Sequence, residues 1–377
     1  MFQSLSAQAK ILFNAKREIS SGGLGINRHE DKAFLACIAE AIERYCMSFF
    51  DINKFFFGSW NELPLPENRI DNFHLYSDEQ YARNVNFANP KKSKIYWEEI
   101  TNYTNKKQHM YWPASLIYLP FDYGLTAAES TSTGVACNSS LKACVTSGLL
   151  ELIERDAIMI NFMQRLNPPE LDINSIKGKN LMLVGKITRK YQLKIYKLYS
   201  DISVPIFLGL IWHKEGSIFH YGIGACAHLN SEEALHKTLK ECLFTNFYSK
   251  NLLHLRQSDP TKINTLYEHF LYYQSDNFPK LLFKKSTVIK YERKACNLRS
   301  LIGELAANGL SIYYKEITTP DIKPIGLKVV KVIVPGLIDL NKSHLLRREG
   351  ALRFWSVPQK LELQVRQKLY SSPHPFP

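Results

Sequence analysis

Three stretches of the chain have the spacing of apolar and polar residues that predicts an amphipathic helix. In each stretch, apolar side chains recur every three or four positions, and a small residue precedes a glutamate by seven positions, close to two helical turns. The stretches are EDKAFLACIAEAIERYC (30–46), SLKACVTSGLLELIERDA (140–157) and SEEALHKTLKECLF (231–244). Each begins with polar residues that suit a helix start. We therefore predict one type of helix, present three times.

Runs rich in β-branched and aromatic residues surround these helices and are bounded by Gly, Pro or Asp, as strands are. They are LKIYKLYSD (193–201), PIFLGLIWH (205–213), SIFHYGIGACA (217–227) and LKVVKVIVPGL (327–337). Strands that recur with helices predict a mixed α/β fold. No linker rich in Gly, Ser or Pro divides the chain, so we predict one catalytic domain over 1–377, with 51–120 as an aromatic-rich elaboration.

The composition is that of a globular protein, since 45% of the 377 residues are hydrophobic and 22% are charged. No stretch approaches the roughly 18 apolar residues that a membrane helix needs. Charges within the first residues argue against a signal peptide. We therefore expect a cytoplasmic protein that does not enter a membrane.

The seven cysteines include no Cys-x-x-Cys pair, which predicts free, buried thiols rather than a zinc ribbon.

The net charge of +13 indicates anionic partners without identifying them. No helix-turn-helix or RNP-type aromatic motif is present, so the sequence does not favour nucleic acid as a partner. Nucleotide phosphate or an acidic peptide suits the charge equally well. A basic nucleic-acid-binding protein remains the weakest alternative.

The first two predicted helices share the pattern Glu-x-x-Glu-Arg. The residues are Glu40, Glu43 and Arg44 in the first helix, and Glu151, Glu154 and Arg155 in the second. In one interpretation, the first glutamate of each pattern forms a salt bridge with the arginine four positions later. In the other, the four glutamates converge on Mg²⁺, which normally also binds substrate phosphates. Two copies of the pattern favour this second interpretation and hence a nucleotide site.

The third predicted helix keeps Glu241 but has Phe244 where the second glutamate would fall. We interpret it as a structural copy without a metal-binding role. The chain has neither a GxxxxGK[S/T] motif nor the set of protein-kinase motifs. If ATP binds, it binds outside the common nucleotide folds.

Four blocks of sequence, in order and spacing, resemble the YcaO superfamily over most of the chain. They are EAIERYC (40–46), STGVACNSSLKACVTSGLLELIERDA (132–157), VIVPGL (332–337) and the terminal PHPFP (373–377). The resemblance implies a YcaO-type fold of repeated strand–helix units, with the two Glu-x-x-Glu helices around a nucleotide site. In that superfamily, a Pro-x-Pro-x-Pro ending is typical of the azoline-forming cyclodehydratases of thiazole/oxazole-modified microcin biosynthesis, of the stand-alone type found in microcin synthetase complexes.

The resemblance also implies cofactors and residue roles. ATP and Mg²⁺ are the implied cofactors, and the tail (360–377) is expected to enter the active site. The implied metal and nucleotide ligands are Glu40, Glu43, Glu151 and Glu154, with Arg155 as a phosphate contact and Asn138 as a polar nucleotide contact. Glu154 and the terminal carboxylate of Pro377 are the implied catalytic groups, and the carboxylate assists proton transfer.

The implied reaction converts Cys, Ser or Thr of a ribosomal precursor peptide to thiazoline or oxazoline, through ATP-dependent phosphorylation of the backbone amide oxygen. The N-terminal part is short for a leader-binding domain, so we expect a separate E1-like leader-binding partner and an FMN-dependent azoline dehydrogenase in the same complex. Two alternatives stay open. One is another YcaO reaction that forms a thioamide or an amidine, and the other is a non-catalytic scaffold subunit.

Overall fold

The structure is a computed structural model that describes residues 2–5, 22–25, 30–64, 75–84, 86–213, 220–256, 258–274, 278 and 283–377. The chain forms two compact units, each built from two segments. Unit 1 consists of Met1–Leu152 and Leu310–Gly336, and unit 2 consists of Ile153–Gly309 and Leu337–Pro377. The assignment of 1–377 to one catalytic domain, with 51–120 as an elaboration, stays a prediction.

The described part of the chain contains both helices and strands. The α-helices are α1 (Glu30–Met47), α2 (Asp78–Arg83), α3 (Leu141–Met163), α4 (Lys179–Thr188), α5 (Ser231–Leu252), α6 (Leu266–Tyr272), α7 (Leu298–Ala307) and α8 (Arg353–Lys360). The strands are β1 (Phe2–Leu5), β2 (Gly22–Gly25), β3 (Phe56–Gly58), β4 (Ile95–Asn102), β5 (His109–Pro113), β6 (Val135–Asn138), β7 (Glu170–Leu171), β8 (Tyr191–Lys197), β9 (Ile206–His213), β10 (Tyr221–Ala227), β11 (Val288–Ile289), β12 (Tyr313–Glu316) and β13 (Lys328–Ile333).

Unit 1 contains an antiparallel sheet with the strand order β3–β4–β12–β13–β6, in which β5 also pairs with β4. The indole of Trp97, in β4, is fully buried and donates a hydrogen bond to the carbonyl of Gly58 (2.9 Å). Strands β1 and β2 form a separate antiparallel pair. In the described part of the sheet, β6 lies at one edge, and α1 packs against it.

Unit 2 contains a second sheet, with the order β10–β9–β8–β7–β11. All neighbouring strands are antiparallel except β7 and β11, which run parallel. Strand β10 is buried along its whole length although it lies at the edge of the described sheet, because α5 packs against it. Leucines of α4 and α5 (Leu183, Leu235 and Leu239) share one apolar core with Phe207 and Ile211 of β9.

A buried ion-pair network in unit 2 connects α3 with α8. The Arg353 guanidinium donates to both carboxylate oxygens of Asp156 (2.9 and 2.7 Å) and to Asp201 (2.6 Å). Asp156 also accepts the backbone N–H of Ile338 (3.0 Å). Full burial raises the pKa of Asp156, whereas the Arg353 charge lowers it. Removing Arg353 alone would leave a buried carboxylate without its main counter-charge.

The structure confirms the mixed α/β fold and a helix at each of the three repeats. The predicted strand at 193–201 ends earlier, at Lys197, and that at 327–337 ends at Ile333. The strand end at Ile333 has a backbone cause, because Pro335 has no N–H to donate and Gly336 has a φ of +100°. The predicted strand at 217–227 is present from Tyr221, while 217–219 lie outside the described residues.

Two further sequence expectations concern cysteines and membranes. All seven cysteines are free thiols; five are buried, as expected, while Cys137 and Cys296 are partly exposed. Within the described chain, every helix is too short or too polar to span a lipid bilayer.

Candidate functional site

In unit 1, two glutamates from different helices bind backbone N–H groups at and beside the sheet edge formed by β6. Glu43 Oε1, on α1, accepts the N–H of Cys137 within β6 (2.6 Å). Glu151 Oε2, on α3, accepts the N–H of Gly134, just before β6 (3.0 Å). These bonds occupy donors that an edge strand otherwise leaves unpaired. They also hold both carboxylates in defined positions.

The close packing of α3 against this edge requires a glycine. A Cβ at Gly148 would lie only 2.6 Å from the carbonyl oxygen of Gly134, which is closer than any side chain permits. A larger residue at 148 would therefore push α3 away from Gly134 and stretch the hydrogen bond that the Gly134 N–H donates to Glu151.

The carboxyl group of Glu43 is electrostatically strained. Burial raises its pKa to about 8, against the lowering effect of the Cys137 N–H, and the negative charges of Glu151 and Glu40 raise it further. The three carboxyl groups are thus close enough to influence one another. A cation placed among them would favour the ionised form of Glu43.

The salt-bridge interpretation of the Glu-x-x-Glu-Arg pattern is confirmed at one position. Arg44 Nη2 lies 2.5 Å from Glu40 Oε1, and the two side chains are 47% and 31% exposed. A pair with this exposure stabilises a fold by about 0–1 kcal/mol at most, so a metal or nucleotide can displace Arg44 at little cost. In the second helix, Arg155 instead lies near Glu154, with Nε 3.8 Å from Oε1.

In unit 2, side chains bind the outward N–H groups of β10 at every second residue. Glu154 Oε2, on α3, accepts the N–H of Ala227 (3.0 Å), and Glu241 Oε2, on α5, accepts that of Ala225 (3.0 Å). The same pattern continues along the strand. Thr245 Oγ1 accepts the backbone N–H of Ile223 (2.8 Å), and Gln274 Oε1 accepts that of Tyr221 (3.0 Å). The two glutamates are therefore fixed side by side along one strand edge.

The structure places Glu241 at the same strand edge as Glu154. Its carboxylate is bound in the same way as that of Glu154, although it was interpreted only as part of a structural copy. Gly224 permits this arrangement, since a Cβ there would lie 2.6 Å from the Thr238 carbonyl and 2.7 Å from the Glu241 Cβ. The sequence contained a signal for this close approach. In YGIGACA (221–227), glycine occupies two alternate positions of the strand that precedes the helix carrying Glu241.

Two cations accompany these carboxylates. Burial raises the pKa of the Cys226 thiol well above its usual value; Glu154 and Glu241 raise it further, while Lys237 and Arg155 lower it. All four charged groups therefore lie within electrostatic reach of one buried sulfur atom on β10. Lys237 is exposed and was not selected from the sequence, although it precedes Glu241 by one helical turn.

Asn138 lies at the end of β6 and is exposed. Its Oδ1 accepts the backbone N–H of Ser139 (2.8 Å), and the following Ser140 caps α3 by accepting the N–H of Ala143 (3.2 Å). Asn138 thus stands directly before the N-terminus of α3, where a helix dipole favours anions. Its contact with a nucleotide stays a prediction.

The C-terminal tail is docked into unit 2. Tyr273 and Tyr221 donate their hydroxyl hydrogens to the carbonyls of Pro373 (2.6 Å) and Pro375 (3.2 Å). His374 stacks on His269 with ring centroids 3.9 Å apart, and Phe376 is 1% exposed. The tail is therefore an ordered part of the fold rather than a loose extension.

The tail also comes near one of the predicted site residues. Burial lowers the pKa of His374 to about 4, the Asn341 carbonyl opposes this effect, and the positive charge of Arg155 contributes to it. His374 and Arg155 consequently lie within electrostatic reach of each other. The catalytic role of the Pro377 carboxylate stays a prediction, as does the convergence of all four glutamates on one site.

The donor set fits a hard divalent cation bound together with a nucleotide. Carboxylate oxygens are the protein ligands that Mg²⁺ prefers, and it commonly takes only one or two of them, with waters and phosphates completing the octahedron. Among the described residues, no three His, Cys, Asp or Glu side chains already form a metal-binding group. In unit 1 the carboxylates of Glu43 and Glu151 are of the type that could hold such a metal, and in unit 2 so are those of Glu154 and Glu241, which have Arg155 and Lys237 near them as cations for phosphate.

Comparison with known proteins places the chain in a family. A family model described as "YcaO cyclodehydratase, ATP-ad Mg2+-binding" matches residues 24–338. No match was found among curated protein sequences.

Three solved structures illustrate the likeness in fold. One, described as "Heterocyclase in complex with substrate and Cofactor", is 22% identical with a TM-score of 0.72, covering 95% of this chain and 50% of that one. The E. coli microcin synthetase McbBCD complex with pro-MccB17 bound contains a chain that is 15% identical with a TM-score of 0.65, covering 100% and 96%. YcaO from Methanopyrus kandleri bound with AMPPCP and Mg²⁺ is 17% identical with a TM-score of 0.61, covering 85% and 79%.

The chain spans about half the length of the two heterocyclase chains that it resembles. Identities this low establish the shared fold, while the family match extends over most of the sequence and includes both Glu-x-x-Glu helices. The chain therefore belongs to the YcaO cyclodehydratase family, whose cofactors are ATP and Mg²⁺.

Proposed function

We propose that the chain is an ATP-dependent cyclodehydratase that forms azolines in a ribosomal precursor peptide. The observation that carries the proposal is the fixed position of the glutamates. Glu43, Glu151, Glu154 and Glu241 come from the three repeated helices, and each accepts a hydrogen bond from a backbone N–H at or beside a sheet edge. A purely structural role for so many partly or fully buried carboxylates would be costly, because each must be desolvated.

The proposed reaction joins a side chain to the backbone. The thiol or hydroxyl of Cys, Ser or Thr attacks the preceding carbonyl carbon and forms a five-membered ring with a tetrahedral centre. The oxygen of that centre takes the γ-phosphoryl group of ATP, which releases ADP. The C–O bond then breaks with loss of the amide proton, giving a C=N bond and phosphate. The peptide loses one water, and ATP becomes ADP and phosphate.

The residues of this chain contribute binding, orientation and proton transfer. Glu43 and Glu151 in unit 1, and Glu154 and Glu241 in unit 2, would hold the cation, which would supply neutralising charge for the phosphate chain, and Arg155 and Lys237 would stabilise negative charge on the transferred group. Glu40 would join them if Arg44 were displaced, and Asn138 would bind the nucleotide beside the start of α3. Because each anchored carboxylate is already oriented by a backbone N–H, little reorganisation accompanies binding.

The tail supplies the proton-transfer group in this proposal. The three prolines at 373, 375 and 377 restrict the backbone, and the buried rings of His374 and Phe376 hold the segment in unit 2. The terminal carboxylate of Pro377 then accepts the proton of the attacking group. Its support is the docking of the tail within electrostatic reach of Arg155.

Partners complete the proposal. The precursor peptide is bound with the help of a separate E1-like leader-binding protein, and an FMN-dependent dehydrogenase oxidises the azolines in the same complex. The likeness to a chain of the McbBCD microcin synthetase over 96% of that chain's length supports assembly of this kind.

The test is peptide-dependent ATP turnover, measured together with the mass of the peptide. The full chain is combined with an E1-like partner and its precursor, and we expect ADP formation with loss of one water per ring. Glu241→Gln should abolish both, whereas Glu233→Gln, on the same helix but paired with Lys179 on the surface, should not. ATP turnover accompanied by replacement of one peptide oxygen by sulfur, seen in the mass of the peptide, would instead identify the thioamide reaction.

A scaffold role is the second candidate, and the Glu40–Arg44 ion pair is the observation that favours it. In that case no peptide-dependent ADP would form, and Glu241→Gln would leave the yield of rings in the complex unchanged.

A further inference from the structure

Unit 2 contains a cavity of about 440 Å³ at the C-terminal end of α3. Four of the ten described residues that line it are cationic, and none of the ten is Asp or Glu. The cationic residues are Arg165, Lys284, Lys285 and Arg366. A concave site with four positive charges and no carboxylate in its described lining is suited to an anion.

The backbone of Arg165 is in a conformation that normally favours glycine. α3 ends at Met163, and Arg165 follows with a φ of +51°. The N–H of Leu166 donates to the carbonyl of Asn161 (3.0 Å), which is the hydrogen bond of a helix end closed by a left-handed residue. Glycine would adopt this conformation without strain. An arginine here indicates that its side chain serves a purpose that outweighs the strain.

Aromatic rings hold that side chain in place. The guanidinium carbon of Arg165 lies 4.8 Å from the ring centroid of Tyr370, 5.5 Å from that of Phe283 and 5.9 Å from that of Phe162. Burial lowers the pKa of Arg165; Tyr370 raises it, and the like charge of Arg366 lowers it again. Two arginines are thus kept within electrostatic reach of each other, an arrangement that an anion between them would stabilise.

The cavity is separate from the glutamate site. Glu154 lies nine positions before Met163, where α3 ends, and each helical residue advances about 1.5 Å, so the end of the helix is roughly 13 Å from Glu154 along its axis. An anion at Arg165 therefore does not share ligands with Glu154.

We propose that this cavity is a second anion site that binds an oligophosphate. A di- or triphosphate carries about three or four negative charges, comparable in number to the four cations, whereas a single carboxylate carries only one. The planar guanidinium groups suit paired hydrogen bonds to phosphate oxygens. The volume falls in the range of roughly 300–1,000 Å³ that is typical of small-molecule sites.

The experiment titrates inorganic triphosphate into the full chain by calorimetry, with EDTA present so that the metal-dependent site stays empty. We expect saturable binding with one site per chain. Arg165→Gly removes the cation and its ring contacts but also relieves the backbone strain, so it should weaken binding about tenfold or more in a protein that still unfolds cooperatively on heating. Arg366→Gln should weaken binding similarly. Lys290→Gln removes an exposed charge that does not line the cavity and should leave the affinity unchanged.

Further arms of the experiment identify the source of the phosphate. One arm adds ATP and EDTA to the Glu154→Gln protein. If nucleotides occupy the cavity, ATP should bind to this protein and should bind more weakly when Arg165→Gly is also present. If inorganic triphosphate binds and ATP does not, the ligand is inorganic. Triphosphate affinity equal to that of the wild type in both Arg165→Gly and Arg366→Gln would show that the cavity is not the site. A loss of affinity in Lys290→Gln as large as in those two variants would show the same. Tetra-aspartate that binds as tightly as triphosphate would overturn the assignment to phosphate.

Discussion

The carboxylate of Glu154 and the backbone N–H of Ala227 are joined by a 3.0 Å hydrogen bond at the open edge of β10. Ala225, two residues earlier on the same strand, is bound by Glu241 in the same way. The side chains that we propose for cation binding therefore also satisfy the edge of a sheet. This double role makes it possible to separate charge from hydrogen bonding by mutation.

The first prediction compares two substitutions at Glu154. Glu154→Gln retains an acceptor for Ala227 but removes the charge, so ATP turnover should fall at least a hundredfold while the unfolding free energy changes little. Glu154→Leu also leaves the buried N–H without an acceptor, which should cost about 1–3 kcal/mol of stability. Denaturant unfolding and ADP release measure the two effects. Equal turnover in Glu154→Gln and the wild type would contradict the proposed role.

The second prediction concerns the pH dependence of metal binding. The pKa of Glu43 is raised to about 8, so its carboxyl group is mostly protonated at pH 7 without a cation and ionised at pH 9. The affinity for Mg²⁺ with nucleotide should therefore increase as the pH rises through 8, because the proton no longer competes. Titrations between pH 6.5 and 9 measure this, and Glu43→Gln should bind more weakly with a flatter profile. A flat profile in the wild type would refute the coupling.

The third prediction concerns the terminal carboxylate of Pro377. One or two alanines added after Pro377 remove no side chain but displace the carboxylate, so ring formation should fall by about 10²–10⁴-fold, the usual contribution of a positioned acid or base. The melting temperature and nucleotide affinity should stay near those of the wild type. Deletion of residues 373–377 is a less specific test, since it removes the buried His374 and Phe376 and should also destabilise unit 2. Wild-type ring formation by the extended protein would limit the tail to a structural role.

The fourth prediction concerns acid stability. Burial lowers the pKa of His374 and of His344 to about 4 and that of His269 well below its usual value. These histidines are neutral in the folded protein, but in the unfolded chain they take up a proton below about pH 6.5. Their contribution to the free energy of unfolding is therefore fully present above pH 6.5 and is lost as the pH falls towards 4. His374→Phe should reduce this loss, whereas the exposed His254→Gln should leave it unchanged. Denaturant midpoints between pH 4 and 8 provide the measurement.

The fifth prediction concerns the buried ion pair between α3 and α8. Arg353→Met leaves Asp156 fully buried without its main counter-charge and should cost about 3–5 kcal/mol. Lys360→Met removes a half-exposed partner of Asp201 and should cost about 0–1 kcal/mol. Urea unfolding of the two variants gives the comparison. Similar losses in both would mean that Asp156 finds another compensating group.

Much of the fold and part of the site were predictable from local patterns. The three helices and the strands at 193–201, 205–213, 217–227 and 327–337 follow from apolar periodicity, which reflects burial of one face, and their bounds changed by only a few residues. The doubling of Glu-x-x-Glu-Arg identified four glutamates, of which the structure holds Glu43, Glu151 and Glu154 at or beside sheet edges. The PHPFP ending similarly identified a segment that is docked rather than exposed.

Other features depend on residues that are distant in sequence. Gly224 lets the third repeated helix approach β10 until Glu241 reaches the N–H of Ala225, a contact that the pattern of that helix alone does not predict. The raised pKa of Glu43 likewise depends on Glu151, and the basic cavity on residues from 165 to 366. Periodicity reports which face of an element is buried. Only packing decides which elements meet and how closely, and hydrogen bonds, desolvation and charge coupling all depend on those distances.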